Sequence, residues 1–335
     1  MQDAYARAGV DIDAKNVSNK LIGRVASQTY RPEVLSDAGF FNGMYELKGY
    51  KNPVLVSSTD SVGTKIKLAV ALGIYDTVGI DIVNHCVNDI FTCGASPIFF
   101  LDYIGIGKLV PERTEAIVRG IAKACREVDC VLIGGETAEM ADIYHGDDFD
   151  LAGLVVGVVE KDAIIAGKTI KSGDAVLGLP SNGLHTNGYS LARKIFGDSQ
   201  EALQKRYAEL EGTAGEALLK THLCYYKQLK PMLTHIKGLA HITGGGLIDN
   251  VPRILPEGLA IRFYSKKWPV PPVFPLMQRL GNIDLGEMYR VFNMGIGMVI
   301  VSAPENVSKL KQQLPEIMTI GEVVKQAGET RVVID

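Results

Sequence analysis

The stretch LVSSTDSVGTK (55–65) runs an apolar strand into a small-residue turn, sets Asp60 at the junction and follows it at once with Thr64-Lys65. A carboxylate suited to a hard cation, free backbone N–H groups and a lysine within a few residues form a constellation that suits a nucleotide polyphosphate. It is not a Walker A loop: no Gly-x4-Gly-Lys-Ser/Thr occurs in the chain, and the acid precedes the lysine. A strand-to-turn junction capped by Asp has the same pattern without any nucleotide, so the surrounding sequence decides.

Outward from this stretch, strand-like apolar runs at 53–59, 97–103, 130–133 and 151–159 alternate with helical periodicity. Apolar residues at 78, 82, 83, 86, 87 and 90 predict a helix over 76–93 that stops before Gly94, and 111–128 reads likewise, with Pro111 in its first turn. This alternation predicts an α/β, or mixed α+β, chain. EKDAIIAGKTIKSGD (160–174) is a turn-rich connection. The domain boundary is placed there, giving an N-terminal domain at 1–164 and a C-terminal mixed α/β domain at 165–335. The second half resumes with a strand at 175–180, a helix at 188–196, a charged helical stretch near 200–237, and strands near 258–264, 295–302 and 317–324. WPVPPVFP (268–275) is expected to be extended, because four prolines oppose a helix.

Composition supports two packed domains: 335 residues exceed what one core usually covers, and 47% are hydrophobic. With 22% charged residues and a net charge of −3, nothing marks a nucleic-acid or membrane surface. The five cysteines (Cys86, Cys93, Cys125, Cys130 and Cys224) include no CxxC pair and sit in or beside apolar runs. They point to a reduced, cytoplasmic compartment and structural burial rather than a zinc site built on His85-Cys86 and Cys93. The first residues carry no signal pattern, and no apolar run reaches the roughly 18 residues of a membrane span.

Four further segments carry polar groups of chemical interest. Asp81, His85, Asn88 and Asp89 share one face of the 76–93 helix, and Asp89, beside the apolar FTCGASPIFF run, needs a metal ion or a lysine as partner. Gly134-Gly135-Glu136-Thr137 follows the VLI strand, where two glycines permit positive φ and close backbone approach to a ligand. A tight turn, with Thr137 starting a short helix, fits the same residues. SNGLHTNGYS (181–190) and HITGGGLIDNVP (241–252) each combine a histidine with glycines ahead of a helix and are expected to accept anions.

The chain closely resembles the aminoimidazole ribonucleotide synthetase, or phosphoribosylformylglycinamidine cyclo-ligase, family. The matching stretches are AGVDIDAKN (8–16), STDSVGTK (58–65), GIDIVNHCVNDI (79–90), FFLDY (99–103), GGETAEM (134–140), YHGDDFDLAG (144–153), HTNGYSLARKI (185–195), HITGGGLIDNVPRILP (241–256) and EMYRVFNMGIGM (287–298). They follow the family's order across nearly the whole chain. The resemblance implies a two-domain fold shared with selenophosphate synthetase and thiamine-monophosphate kinase, whose N-terminal domains pair in a homodimer as a barrel-like sheet. It implies conversion of formylglycinamidine ribonucleotide and ATP to aminoimidazole ribonucleotide, ADP and phosphate in purine biosynthesis. Two departures stand out: Ser61 replaces a frequent family glycine, and His85 falls where the family shows no histidine, which weakens a catalytic role for it.

On this resemblance, Asp60 and Asp89 hold Mg²⁺ against the ATP phosphates, Lys65 adds charge and Thr64 a hydrogen bond. Glu136, with Gly134, Gly135 and Thr137, supports the metal or the nucleotide. His185 or His241 removes the proton for ring closure, since imidazole titrates near neutral pH. The ribose phosphate docks at the 243–247 loop with Gly244 and Gly245, or at the first loop with Asn187. The rival is a phosphotransferase of the same fold. Selenophosphate synthetase is expected to carry an N-terminal reactive cysteine, whereas the first cysteine here is Cys86. The kinase is expected to show a Ser-Asp-Gly-Leu type motif where this chain reads ITGGGL.

Overall fold

The computed structural model describes residues 12–36 and 40–335, so residues 8–11 of the AGVDIDAKN stretch lie outside the described residues. The chain divides into two compact units. The first comprises residues 1–90, 96–161 and 198–200; the second comprises 91–95, 162–197 and 201–335.

In the first unit, β1 (Pro53–Ser61), β2 (Ser96–Ile106), β3 (Val131–Glu139) and β4 (Phe149–Glu160) form a sheet in the order β1-β4-β2-β3. The β1/β4 and β4/β2 pairs are antiparallel, and β2/β3 is parallel. A parallel pair needs a crossover, which a helix of residues Pro111–Glu127 supplies. Among the described residues three α-helices precede it: α1 (Ile12–Ser27), α2 (Ile66–Leu72) and α3 (Asp76–Phe91), so the crossover helix is α4. Val78, Ile82, Val83, Cys86, Val87 and Ile90 are all buried, which gives α3 the apolar stripe read from its periodicity.

Two glycines let α3 and α4 touch backbone to backbone. A Cβ at Gly79 would lie 2.1 Å from the Ile117 carbonyl oxygen, and one at Gly120 would lie 2.0 Å from that of Asp76. Any side chain at either position would push the helices apart and carry the polar face of α3 away from the sheet.

In the second unit, β5 (Ala175–Pro180), β6 (Gly238–His241), β7 (Leu259–Phe263), β8 (Ile296–Ser302), β9 (Met318–Lys325) and β10 (Val332–Ile334) form a sheet in the order β10-β7-β9-β5-β8-β6. Only β10/β7 is parallel. Every residue of β8 is buried, which explains why its apolar run does not alternate. The helices of this unit are α5 (Tyr189–Phe196), α6 (Gln200–Gln204), α7 (Ala214–Leu218), α8 (Tyr226–Leu229), α9 (Gly246–Asn250), α10 (Val273–Gly281), α11 (Leu285–Val291) and α12 (Val307–Gln313).

Three local expectations are corrected. The charged 200–237 stretch is broken into α6, α7 and α8, because the Arg206–Thr213 bridge and Gly212 interrupt it and a Thr213/Glu216 capping box restarts a helix. WPVPPVFP is not extended throughout: Pro272 caps α10, and Pro275 sits in its first turn, where a missing N–H costs nothing. The GGET segment is neither a turn nor a helix start, since β3 continues through Glu139. The short strands β6 and β10 escape sequence periodicity because three or four residues cannot establish one.

Candidate functional site

In the first unit the polar stripe of α3 docks on the LVSSTDSVGTK stretch at three successive helical turns. Asp81 binds the Lys65 ammonium at 2.7 Å, His85 Nε2 lies 2.9 Å from Asp60 Oδ2, and Ser58 donates to Asp89 Oδ2 at 3.2 Å. The i, i+4, i+8 spacing of the helix matches the chain running back through positions 65, 60 and 58. These two motifs are therefore complementary halves of one interface.

Each contact has a different electrostatic consequence. Burial works against the Asp60 carboxylate, but the hydrogen bond and charge of His85 and the Ser61 N–H outweigh it and hold its pKa below the usual value. Burial likewise pulls the His85 imidazole down, while Asp60, and then Asp89 and Asp81, more than offset it and raise its pKa. His85 Nε2 is also 3.9 Å from Asp89 Oδ2. Asp60 and Asp89, from different elements, thus converge on one imidazole. His85 is the residue sequence reasoning set aside; the i+4 step to Asp89 was the signal, and only the fold places it on Asp60.

Lys65 turns inward. Its side chain is fully buried against the equally buried Asp81, and burial lowers its pKa despite that partner. A lysine in this position holds the Gly63–Lys65 turn to α3; it does not present charge at an open surface. Thr64, in the same turn, is half-buried.

The sheet register aligns the other acid cluster. Asp60 pairs with Gly153, Gly153 with Asp102, and Asp102 with Gly135, so one row crosses all four strands. At about 4.8 Å per strand, Asp102 lies roughly 10 Å from Asp60 along that row. The glycines in it are spatial requirements. A Cβ at Gly153 would collide with Phe100, and one at Gly135 would lie 2.4 Å from Asp102 Oδ1. Neither Gly134 nor Gly135 has positive φ; the close approach of Asp102 accounts for Gly135, while a Cβ at Gly134 would meet only Leu101 at ordinary contact distance.

Asp102 is buried at 9% exposure, and desolvation, followed by the charge of Glu136, raises its pKa to about 7. It lines a cavity of about 320 Å³ together with Gly134, Gly135, Glu136, Thr137, Lys15 and Asn19. The cavity therefore gathers the whole GGET segment and adds Asp102, Lys15 and Asn19. FFLDY held Asp102 in view, but nothing in its spacing marked it as facing Gly135.

In the second unit both histidine loops are found at one place. His185 adopts φ 62°, a left-handed conformation uncommon outside glycine and a form of strain that clusters at functional sites. Its ring is buried and stacks on His222 at 4.2 Å between centroids. His222 Nε2 lies 2.9 Å from His241 Nε2, and His222 Nδ1 lies 3.2 Å from Thr186 Oγ1. Gly297 makes the array possible, since a Cβ there would lie 2.9 Å from His185 Cε1.

The glycine loop lies beside the first loop: a Cβ on Gly244 would be 3.2 Å from Asn187 Oδ1. Gly245 and Gly246 take φ 93° and 57°, and Asn250 Nδ2 donates to the carbonyls of Thr243, Gly244 and Gly246. Asn187, Gly244, His185 and His241 thus share one locality, and the two docking loops that sequence left as alternatives are neighbours. His222 was missed, because it lies in the 200–237 stretch read only as helix; Asn250 stood inside the 241–252 segment but was given no role there.

The N-terminal domain model of the AIR synthase related protein family matches residues 41–159, and its C-terminal domain model matches residues 171–334. A phosphoribosylformylglycinamidine cyclo-ligase of Geobacillus thermodenitrificans is 50% identical, covering 98% of this chain and 97% of its own. One of Desulfitobacterium hafniense is 49% identical, covering 97% of each. Among solved structures, a thiamine-monophosphate kinase from Stenotrophomonas maltophilia aligns with a TM-score of 0.68 at 16% identity, over 94% of this chain and 95% of that one. A hydrogenase maturation protein HypE in complex with ATP aligns at 0.67 and 16%, over 95% and 90%. These two likenesses establish the shared fold.

Proposed function

Given that the chain belongs to the phosphoribosylformylglycinamidine cyclo-ligases of the AIR synthase related family, we propose that it closes the imidazole ring of aminoimidazole ribonucleotide in purine biosynthesis. Formylglycinamidine ribonucleotide and ATP are consumed, and ADP and phosphate are released. The observation that carries this is half identity over nearly the full length of the cyclo-ligases. The phosphotransferase alternative rests on fold likeness at 16% identity.

The chemistry follows from what cyclisation requires. A formamide carbon is a weak electrophile with a poor leaving group, so ATP phosphorylates the formyl oxygen. The amidine nitrogen then attacks the activated carbon, and phosphate leaves. Phosphoryl transfer of this kind depends on positioning and charge neutralisation more than on covalent help from the protein.

ATP is assigned to the first unit, where Gly134, Gly135, Glu136 and Thr137 line a cavity and Thr64 offers a half-buried hydroxyl. The oxygen donors Asp60 and Asp89, set around one point by His85 and Ser58, suit Mg²⁺, which takes one or two carboxylates plus phosphate and water oxygens. When bound, Mg²⁺ neutralises charge on the transferring phosphoryl group. His85 orients the Asp60 carboxylate rather than touching substrate.

The substrate's ribose phosphate is assigned to the paired loops of the second unit, with Asn187 and Gly244-Gly245 at one edge. His185 or His241 accepts the proton from the ring-closing nitrogen. No helix among the described residues is long and apolar enough to cross a membrane.

A direct assay tests the function: incubate the pure protein with formylglycinamidine ribonucleotide, ATP and Mg²⁺, and detect aminoimidazole by diazo coupling. Colour dependent on both substrates is expected. ADP formation on thiamine monophosphate, with no diazo-positive product, would replace the cyclo-ligase reading with a kinase.

A further inference from the structure

We propose that His222 is a positioning residue that fixes the tautomer of His241, and through it the proton the substrate loops present. The inference rests on the reading of the 185–187 and 241–245 loops as the substrate-binding part of the second unit.

His222 is fully buried and joins three groups. Its Nδ1 faces Thr186 Oγ1 at 3.2 Å, its Nε2 faces His241 Nε2 at 2.9 Å, and its ring face stacks on His185. Thr186 also accepts from Asn187 Nδ2 at 3.4 Å, so the array reaches both loops.

Two imidazole nitrogens at hydrogen-bond distance share one proton between them, because two protons would clash and none would leave facing lone pairs. Each ring nitrogen's state is set by the bond its opposite nitrogen makes. If Thr186 donates to His222 Nδ1, His222 carries its proton on Nε2 and donates to His241, whose own proton then sits on Nδ1. If His222 Nδ1–H donates to Thr186, the order reverses: His241 carries Nε2–H and its Nδ1 becomes the basic nitrogen. Each order holds His241 in one tautomer, and passing from one to the other requires the Thr186 hydroxyl and both imidazoles to change together. Without His222 both tautomers become accessible, and only part of the protein is correctly protonated at any moment.

The test uses the full chain labelled with ¹⁵N-histidine, together with the variants His222→Phe and His222→Gln. Phenylalanine keeps the buried, stacked ring and removes both nitrogens; glutamine restores one hydrogen bond toward His241. The wild type is expected to show a single tautomer for His241, its signals assigned by their absence from the spectrum of His241→Ala, and His222→Phe is expected to show exchange-averaged signals.

Turnover in His222→Phe should fall on the order of 10- to 100-fold, the range seen when an orienting partner is removed. KM should stay within about twofold, since the substrate contacts remain. His222→Gln should recover most of the loss. A wild-type His241 that already averages two tautomers, or a His222→Phe protein retaining the single wild-type tautomer, would overturn the proposal. Absence of aminoimidazole formation by the wild type would sink the functional reading instead, and the spectra would still decide the role of His222.

Discussion

Asp102 is a carboxyl group held in conditions that favour its neutral form, and this has a thermodynamic signature. Its pKa is raised from 3.8 to about 7, so between those values the folded state binds more protons than the unfolded state. Stability is therefore lost as pH rises through that window. The shift corresponds to at most on the order of 4 kcal/mol. Asp102→Asn removes the titration, and the variant is expected to gain stability relative to wild type from pH 4 to pH 8. Urea denaturation at both ends of the range checks this; a pH-independent difference would show that Asp102 ionises normally. The other acids are assigned to function. Asp60→Asn and Asp89→Asn should each reduce turnover by about a hundredfold or more, the scale for a lost electrostatic group, with little change in melting. Near wild-type turnover of both at limiting Mg²⁺ would remove the metal assignment.

Between elements, the deciding contact is the buried Lys65–Asp81 pair, which ties the Gly63–Lys65 turn to α3. Removing one partner of such a pair strands the other charge in the core and costs about 3–5 kcal/mol, whereas replacing both by apolar groups is often neutral. Lys65→Met is accordingly expected to lower the urea midpoint sharply, and Lys65→Met with Asp81→Leu to recover most of it. Turnover of the folded double variant then distinguishes two roles. Recovery would mean a structural lysine; a lasting loss with restored stability would return Lys65 to the phosphates. The same logic explains α3 as a whole: its apolar stripe is packed by the Gly79/Gly120 crossing, and its polar stripe is spent on three contacts with one stretch of chain.

For the whole molecule, the four-stranded sheet has one face under helices and one face open. Leu55, Tyr103 and Leu154 on that open face are 63%, 37% and 38% exposed. Alternating burial along β4, where odd positions are covered and Leu154 is exposed, shows that this is a face and not a scatter of residues. An open sheet face carrying exposed apolar residues suits a second copy of the chain in a closed twofold pairing. Light scattering at micromolar protein should report a dimer, and Leu154→Asp should shift it toward monomer. A wild type that is strictly monomeric would exclude pairing through this face.

Much of this was legible in the order of residues. Strand and helix periodicities marked β1 to β5 and α3 to α5, because long amphipathic elements write their buried faces at fixed spacing. The nine motifs pointed to one family, because glycines, acids and histidines in fixed sequence order survive as local text. Three-dimensional partnership was not written there. That Lys65 turns inward to Asp81, that His85 binds Asp60, that Gly135 makes room for Asp102, and that His222 joins His185 to His241 all depend on which elements are packed against one another. Contacts between residues 16 to 37 positions apart carry no periodicity of their own. Only packing, by excluding water from both partners at once, decides which polar groups must meet.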